Sequence, residues 1–240
     1  MFDEYHYRVE LHAHTKPASH CGQMTSDELV KRYAAVGCHA LAITNHFMFC
    51  EQDAENYVDC YLRDFTLAQE AGKKYGMTIL LGAEIRFSGN DNDYLIFGID
   101  REDLIRIYPM LSGNVRDFYP QFHNDRNVII QAHPYRGAHA DLFPDALDGA
   151  EVFNLHPNHN PAMAWAAAFA EAQDHARSQG FIISCGSDCH TEDVVGMGFT
   201  MTRSLPADTF ALADILKKHD YIMNVAGNLI IPENSTALHE

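Results

Sequence analysis

Residues 7–15 read Tyr-Arg-Val-Glu-Leu-His-Ala-His-Thr, a short β-forming run that closes on two histidines one residue apart. In an extended chain, residues two apart project to the same face, so His12 and His14 are placed to grip one ion. Similar runs recur along the chain: Tyr7–His12, Ala40–Thr44, Thr78–Ile85, Tyr94–Ile99, Asn127–Ala132, Ala150–Asn154 and Phe181–Cys185. They are short, apolar and often β-branched, as expected of strands buried on both faces. Helical patterns lie between them at Asp27–Val36, Glu55–Tyr75, Pro161–Gln179 and Ala207–His219, with Gly37, Gly76 and Gly180 just past three of these as closing residues. This alternation predicts an α/β fold with a mostly parallel sheet, organised as a single domain over residues 1–240.

The strand ends choose between a barrel and an open sheet. The first run ends in Glu10-Leu11-His12-Ala13-His14-Thr15, with His20 six residues beyond His14. The others deliver Thr44-Asn45-His46, Gly82-Ala83-Glu84, Gly98-Ile99-Asp100, Gln131-Ala132-His133-Pro134 and Gly186-Ser187-Asp188-Cys189-His190. A barrel gathers reactive residues from many strand ends on one face, whereas an open sheet concentrates them at one switch point beside a glycine-rich phosphate loop. No such loop occurs here. The expectation is a barrel with its chemistry at the C-terminal ends of the strands.

A single histidine at a strand end is usually a hydrogen-bonded structural group. Imidazoles and carboxylates from six strand ends would repel, or be costly to desolvate, unless something cationic binds them. A metal cluster held by the strand-end residues His12, His14, His46, Glu84, Asp100, His133, Asp188 and His190 is the expectation. Mixed nitrogen and oxygen ligation suits zinc, manganese or iron better than magnesium or calcium.

Composition bounds the rest. Hydrophobic residues make up 47% of the 240, enough to bury a core without disulfide or metal support. The six cysteines form no C-x-x-C pair and read as reduced, packed side chains. No apolar run is long enough for a membrane span, and the polar start Met-Phe-Asp-Glu-Tyr-His is unlike a secretory signal, so a cytoplasmic location is expected. Thirty-three acids against 17 bases give a net charge of −16, which argues against extended duplex nucleic acid or anionic membrane as partners. A small phosphorylated substrate or a short oligonucleotide stays open, because bound cations make a local positive pocket on an acidic protein.

The motifs His12-Ala13-His14-Thr15, Thr44-Asn45-His46, Gly82-Ala83-Glu84, Ala132-His133-Pro134 and Asp188-Cys189-His190, in this order, resemble the PHP (polymerase and histidinol phosphatase) family. The resemblance implies a distorted seven-stranded TIM-like barrel that binds two or three divalent transition-metal ions and hydrolyses phosphate esters. It further implies that His12, His14, Glu84 and Asp188 hold one ion. Glu84 would bridge to a second at His133, and His20, His46 and His190 would hold a third. Two positions depart from the family pattern. Asn45 stands where Asp is usual, with a role in orienting His46 by hydrogen bonding. Asp100 stands where several relatives carry histidine, either as a ligand or paired with a base such as Arg101.

Substrate contacts are expected from Arg136 and Arg86, whose guanidinium groups can fork onto phosphate, or else close surface salt bridges. His156 and His159 follow the sixth run and reach the same face. The expected chemistry is in-line attack by a metal-activated water, with Asp188, His190 and His133 as the catalytic set and His190 or His133 protonating the leaving group. Cys189 would point away from its neighbours and so away from the reaction. The alternatives are an amidohydrolase-type metal hydrolase, which lacks a place for His20 and His190, and a non-catalytic metal-binding module of PHP type. The substrate itself, and the oligomeric state, are not written in these motifs.

Overall fold

The structure, a computed structural model, describes residues 2–89, 91–136, 142–158, 163–176 and 180–238. Twelve strands form among them. β1 (Tyr7–Glu10), β2 (Ala40–Ile43) and β4 (Thr78–Leu81) lie parallel, and β10 (Gly198–Thr202), β11 (Tyr221–Val225) and β12 (Asn228–Ile230) extend that sheet in antiparallel fashion beyond β1. The second sheet runs β3 (His46–Met48), β5 (Ala83–Arg86), β6 (Asp93–Phe97), β7 (Val128–Gln131), β8 (Gly149–Asn154), β9 (Ile182–Gly186). Both sheets are therefore mixed, where a mostly parallel one was expected.

The run Thr78–Ile85 does not stay in one sheet. It passes from β4 to β5 across Gly82, whose amide donates to Ile43 O at 3.0 Å. A Cβ at Gly82 would lie 2.8 Å from the Thr44 methyl and 2.9 Å from the Phe97 ring, so only glycine lets the two sheets meet this closely.

Helices cover the sheets where the sequence supplies caps. Helix α1 (Ser26–Ala35) opens on a Thr25/Glu28 capping box, and α2 (Ala54–Tyr75) opens on Asp53 and closes on left-handed Gly76. Leu29, Val30, Tyr33, Ala68 and Ala71 from these two helices pack on Leu41 and Ile43. The short helices α3 (Arg101–Ile107) and α4 (Val115–Phe122) lie outside the four helical patterns of the sequence, burying Leu104, Ile107, Phe118 and Phe122 against β5–β7. α5 (Met163–Ala176) covers β8 and β9, and α6 (Thr209–Lys217) sets Leu212 and Leu216 beneath Leu95 and Val128. No helix among the described residues is long and apolar enough to cross a membrane.

Strand direction places Asp100 at the opposite sheet edge from the other candidate ligands. β6 is antiparallel to both β5 and β7, so its C-terminal end lies at the edge where those two strands begin. Asp100 instead caps α3, its carboxylate accepting from the Asp103 amide at 2.9 Å. Arg101 pairs with Asp59 and Glu102. Asp100→Ala is expected to cost about 1 kcal/mol of stability, the usual loss of an N-cap, with metal content and turnover unchanged. Denaturant titration with elemental analysis checks both halves of that expectation.

Candidate metal centre

The centre is assembled where two chain segments lie side by side. Beyond β1, Ala13 forms a parallel bridge to Cys189, with His14 N donating to Cys189 O and Cys189 N to His12 O. His-x-His and Asp-x-His are thereby held in register. Cys189 points into the α1/α2 core, away from the ligand side, and burial pushes its thiol up to about 12. Thr44 clamps the same strand from the other side, its hydroxyl accepting from Ala13 N at 3.0 Å.

Asn45 does not orient His46, as the sequence suggested. Its side chain accepts from Thr15 N at 2.7 Å and donates to Thr15 Oγ1 at 2.8 Å. An aspartate could accept the first bond but not make the second. Ser19 does the orienting instead: its hydroxyl accepts from His46 N at 2.9 Å and lies 3.1 Å from His14 Nδ1.

Glu84, fully buried on β5, is the hub. Its carboxylate lies 2.9 Å from His133 Nε2, 2.8 Å from His46 Nδ1, and 3.4 Å from Nε2 of both His12 and His14. Asp188 Oδ1 lies 3.4 Å from His12 Nε2, 3.3 Å from His14 Nε2 and 3.2 Å from His190 Nδ1. Several of these approaches are close without being hydrogen bonds. His12 Nε2, His14 Nε2, His46 Nδ1, Glu84 Oε2 and Asp188 Oδ1 are buried with no hydrogen-bond partner.

Burial opposes protonation of His12, but the carboxylates of Glu151, Asp188 and Glu84 outweigh it and hold the imidazole well above its ordinary value. Burial likewise opposes, and Cys21 and Glu84 overcome, at His46, which is raised to about 10. His190 reaches about 10 through Asp188 and Cys21 against the same burial. His14 goes the other way: burial dominates and lowers it to about 3. Burial would raise Glu84 and Asp188, yet their histidine neighbours hold both well below the usual carboxylate range.

Two acids stand behind the ligands and were not singled out from the sequence. Glu151 Oε1 lies 2.9 Å from His12 Nδ1, and its Oε2 accepts from His133 N at 3.1 Å. Glu10 accepts from His12 N, Ser187 N and Tyr33 Oη. Such partners fix ring orientation and tautomer in metal sites. An acid inside the buried run Ala150–Asn154 was the available signal for Glu151. Asp93 was also missed: at the start of antiparallel β6 it reaches the site edge, 3.6 Å from His133 Nε2.

Of the expected substrate residues, Arg136 lies at the site with Nη1 3.2 Å from Asp188 Oδ2. Arg86 holds Asp93 through two 2.6 Å bonds. His156 stands edge-on to the His190 ring at 5.7 Å, and His159 falls outside the described residues. His20 is not brought into the cluster. It is exposed and lies outside every grouping of potential ligands, while its neighbour Cys21 lies 3.0 Å from His190 Nε2. Four such groupings bring donor atoms within 4.8 Å of one another: His14/Cys21/His46/His190, His12/His14/Glu84, His12/His133/Asp188 and His46/Glu84/Asp93.

The PHP domain profile matches residues 10–146, more than half of the chain and the part carrying His12 through His133. The chain belongs to the PHP domain family. This PHP chain is 25% identical over 169 residues to a PolC-type DNA polymerase III from Oceanobacillus iheyensis, covering 60% of the chain but only 11% of the polymerase. Its fold is shared with a two-domain protein from Bacteroides vulgatus containing a predicted PHP-like metal-dependent phosphoesterase (TM-score 0.64, 15% identity, 93% of this chain and 66% of that one). A metal-dependent phosphoesterase candidate from Bifidobacterium adolescentis aligns at TM-score 0.54, 16% identity, 77% of this chain and 88% of that one. An amidohydrolase from Chromobacterium violaceum, solved with sulfate and no metal, aligns at 0.53, 18% identity, 78% and 89%. The PHP site suits cations on its own chemistry. Buried imidazole nitrogens and carboxylate oxygens that face one another without hydrogen bonds are the donors a divalent ion would satisfy.

Proposed function

We propose that this PHP chain is a metal-dependent phosphoesterase acting on a small phosphate ester, either a monoester or a short oligonucleotide. The convergence of three partnerless imidazole nitrogens, on His12, His14 and His46, with the partnerless carboxylate oxygens of Glu84 and Asp188, and with Arg136 and Arg86 alongside, carries the reading. His12, Glu84 and Asp188 would hold one ion; His133, Glu84 and Asp93 a second, Asp93 taking the place expected of Asp100; His14, His46 and His190 belong to a third. The Ala13–Cys189 bridge and the continuity of β4 with β5 support reading the two sheets as halves of one distorted barrel.

Zinc, manganese or iron ions in such a pocket polarise phosphoryl oxygens and acidify water at neutral pH. The chain's own residues supply the rest. Arg136, paired with Asp188 through one nitrogen, turns its guanidinium to the phosphate once that carboxylate is committed elsewhere. Arg86, already carrying its charge to Asp93, adds positive potential at the same rim. His133 and His190, expected to protonate the leaving group, face Glu84 and Cys21 instead. His156 would serve the substrate differently: its Nδ1 accepts from the Asn158 amide at 3.3 Å, so the neutral ring keeps its proton on Nε2 and can donate a hydrogen bond to a phosphate oxygen.

Stripping the protein with a chelator and reloading it with zinc, manganese or iron tests this reading. Hydrolysis of a generic phosphate monoester or diester should disappear and return, by about a hundredfold or more. The ratio of the two esters names the substrate class. Stoichiometric metal binding with neither ester cleaved would sink the phosphoesterase reading and bring forward amide hydrolysis or a non-catalytic role.

A further inference from the structure

We propose that Cys21, rather than His20, completes the outer cation position together with His14, His46 and His190, so that this position takes a soft divalent ion through one thiolate and three imidazoles. The inference rests on the reading of the centre as ion-holding, not on the reaction it performs.

The loop that carries both residues is tied down on either side of Cys21. Gly22 N donates to Ser19 O at 3.1 Å, and Gln23 N donates to His190 O at 2.9 Å, stitching the loop to the segment that bears His190. Within this frame the Cys21 sulfur lies 3.0 Å from His190 Nε2, whereas His20 joins none of the groupings of potential ligands.

Three imidazoles face the thiol. His14 and His190 stack with ring centroids 4.2 Å apart, His14 and His46 lie at 4.7 Å, and one donor atom from each, with the Cys21 sulfur, lies within 4.8 Å of the rest. The independent sign of a missing occupant is His14 Nε2. It belongs to a fully buried side chain, has no hydrogen-bond partner, and sits in this same set of rings. Zinc-type bonds of roughly 2.3 Å to sulfur and 2.0–2.1 Å to nitrogen imply S···N separations of about 3.5 Å in a tetrahedron, so modest outward movement of the thiol seats the ion. A thiolate among imidazoles favours zinc, ferrous iron or cobalt over magnesium and manganese. Because Cys21 is exposed as a residue, the position opens to solvent and an ion has a route in.

Cobalt(II) reports the ligand directly. Stripped protein loaded with cobalt should show thiolate-to-cobalt charge transfer in the near ultraviolet, retained in His20→Ala and lost in Cys21→Ser, with visible d–d bands and cobalt content measured in parallel. Alkylation mapped by mass spectrometry gives a second readout on the unaltered chain. Zinc should slow modification of Cys21 on the order of tenfold or more, leaving exposed Cys50 and Cys60 as internal references. Cobalt bound with d–d bands but no charge transfer would overturn the proposal, as would charge transfer that survives Cys21→Ser or vanishes in His20→Ala. Failure to bind cobalt at all would remove the ion-holding reading along with it. The Cys21-dependent band in a protein that hydrolyses no ester would leave this assignment standing and remove only the proposed reaction.

Discussion

Glu84→Gln is expected to abolish phosphoester hydrolysis together with most of the bound metal. Removing even an outer partner of a metal ligand costs about 10–100-fold, so losing the carboxylate that touches four imidazoles should cost about a thousandfold or more. The change is nearly isosteric, which separates charge from shape. Glutamine keeps one carbonyl acceptor but points an amide N–H₂ toward His12, His14, His46 or His133, all of which need an acceptor or an ion on that side. The fold should survive, because Glu84 lies on a strand paired by backbone bonds to both β3 and β6, and the histidines can shed their protons once the carboxylate charge is gone. Circular dichroism, elemental analysis and turnover with a reloaded ion test this together. A variant that retains metal and rate within about threefold of the wild type would mean that Glu84 is not the hub its contacts make it.

The second large effect concerns pH. In the metal-free protein His12, His46, His133 and His190 all titrate above their ordinary 6.5, burial being outweighed by carboxylates and, for His46 and His190, by Cys21. A histidine raised in this way contributes stability that is complete below the unfolded value and is lost as pH climbs through the folded one, about 10 for His46 and His190. Cys21, lowered to about 6 chiefly by His190 and His46 against burial, offsets roughly one of the four between its folded value and the ordinary 9. His14 has the opposite sign: lowered by burial to about 3, it costs stability progressively as pH falls below 6.5. The depressed carboxylates Glu84, Asp188 and Glu151 fail only in acid. Metal-free protein should therefore be most stable near the ordinary histidine value and lose about 5–10 °C of Tm by pH 9.5. Zinc must displace those imidazole protons to bind, so the loaded protein should show a much flatter profile and should release protons on loading at pH 7. Thermal scans with and without zinc across pH 6.5–9.5 decide it. A metal-free Tm that stays level or rises over that range would contradict the electrostatics of the cluster.

Much of the centre could be read from strand ends alone, because a buried strand that terminates in histidine or carboxylate advertises both its direction and its reactive end. His12, His14, His46, Glu84, His133, Asp188 and His190 all meet in the structure, though no two motifs adjoin in the chain. Asp100 is misplaced by a uniform strand direction: the Ser-Gly-Asn-Asp-Asn turn signal at 88–92, typical of a hairpin, marks the reversal of β6. Reversal brings Asp93, rather than Asp100, to within 3.6 Å of His133 Nε2. The approach of Cys21 to His190 depends on a loop hydrogen bond from Gln23 to His190, which leaves no periodicity in the sequence. Helices α3 and α4 escaped for length, being one to two turns long, and α4 carries Pro120 within it. The strands β10–β12 pair antiparallel at the sheet's margin, outside the alternating pattern that revealed the others.

The β5–β6 hairpin also separates two design variables that most sites couple. Ladder pairing sets Asp93 opposite Arg86 and Leu95 opposite Glu84, so the placement of these groups is written in the strands and not in the connection at 87–92. A loop with its ends fixed this firmly tolerates insertions at small entropic cost, since each doubling of length adds only about 0.6 kcal/mol. Segments of different length or charge exchanged there would reshape the approach to the rim without moving Glu84 or Asp93. That makes this connection the natural graft point for redirecting the protein toward larger or smaller esters.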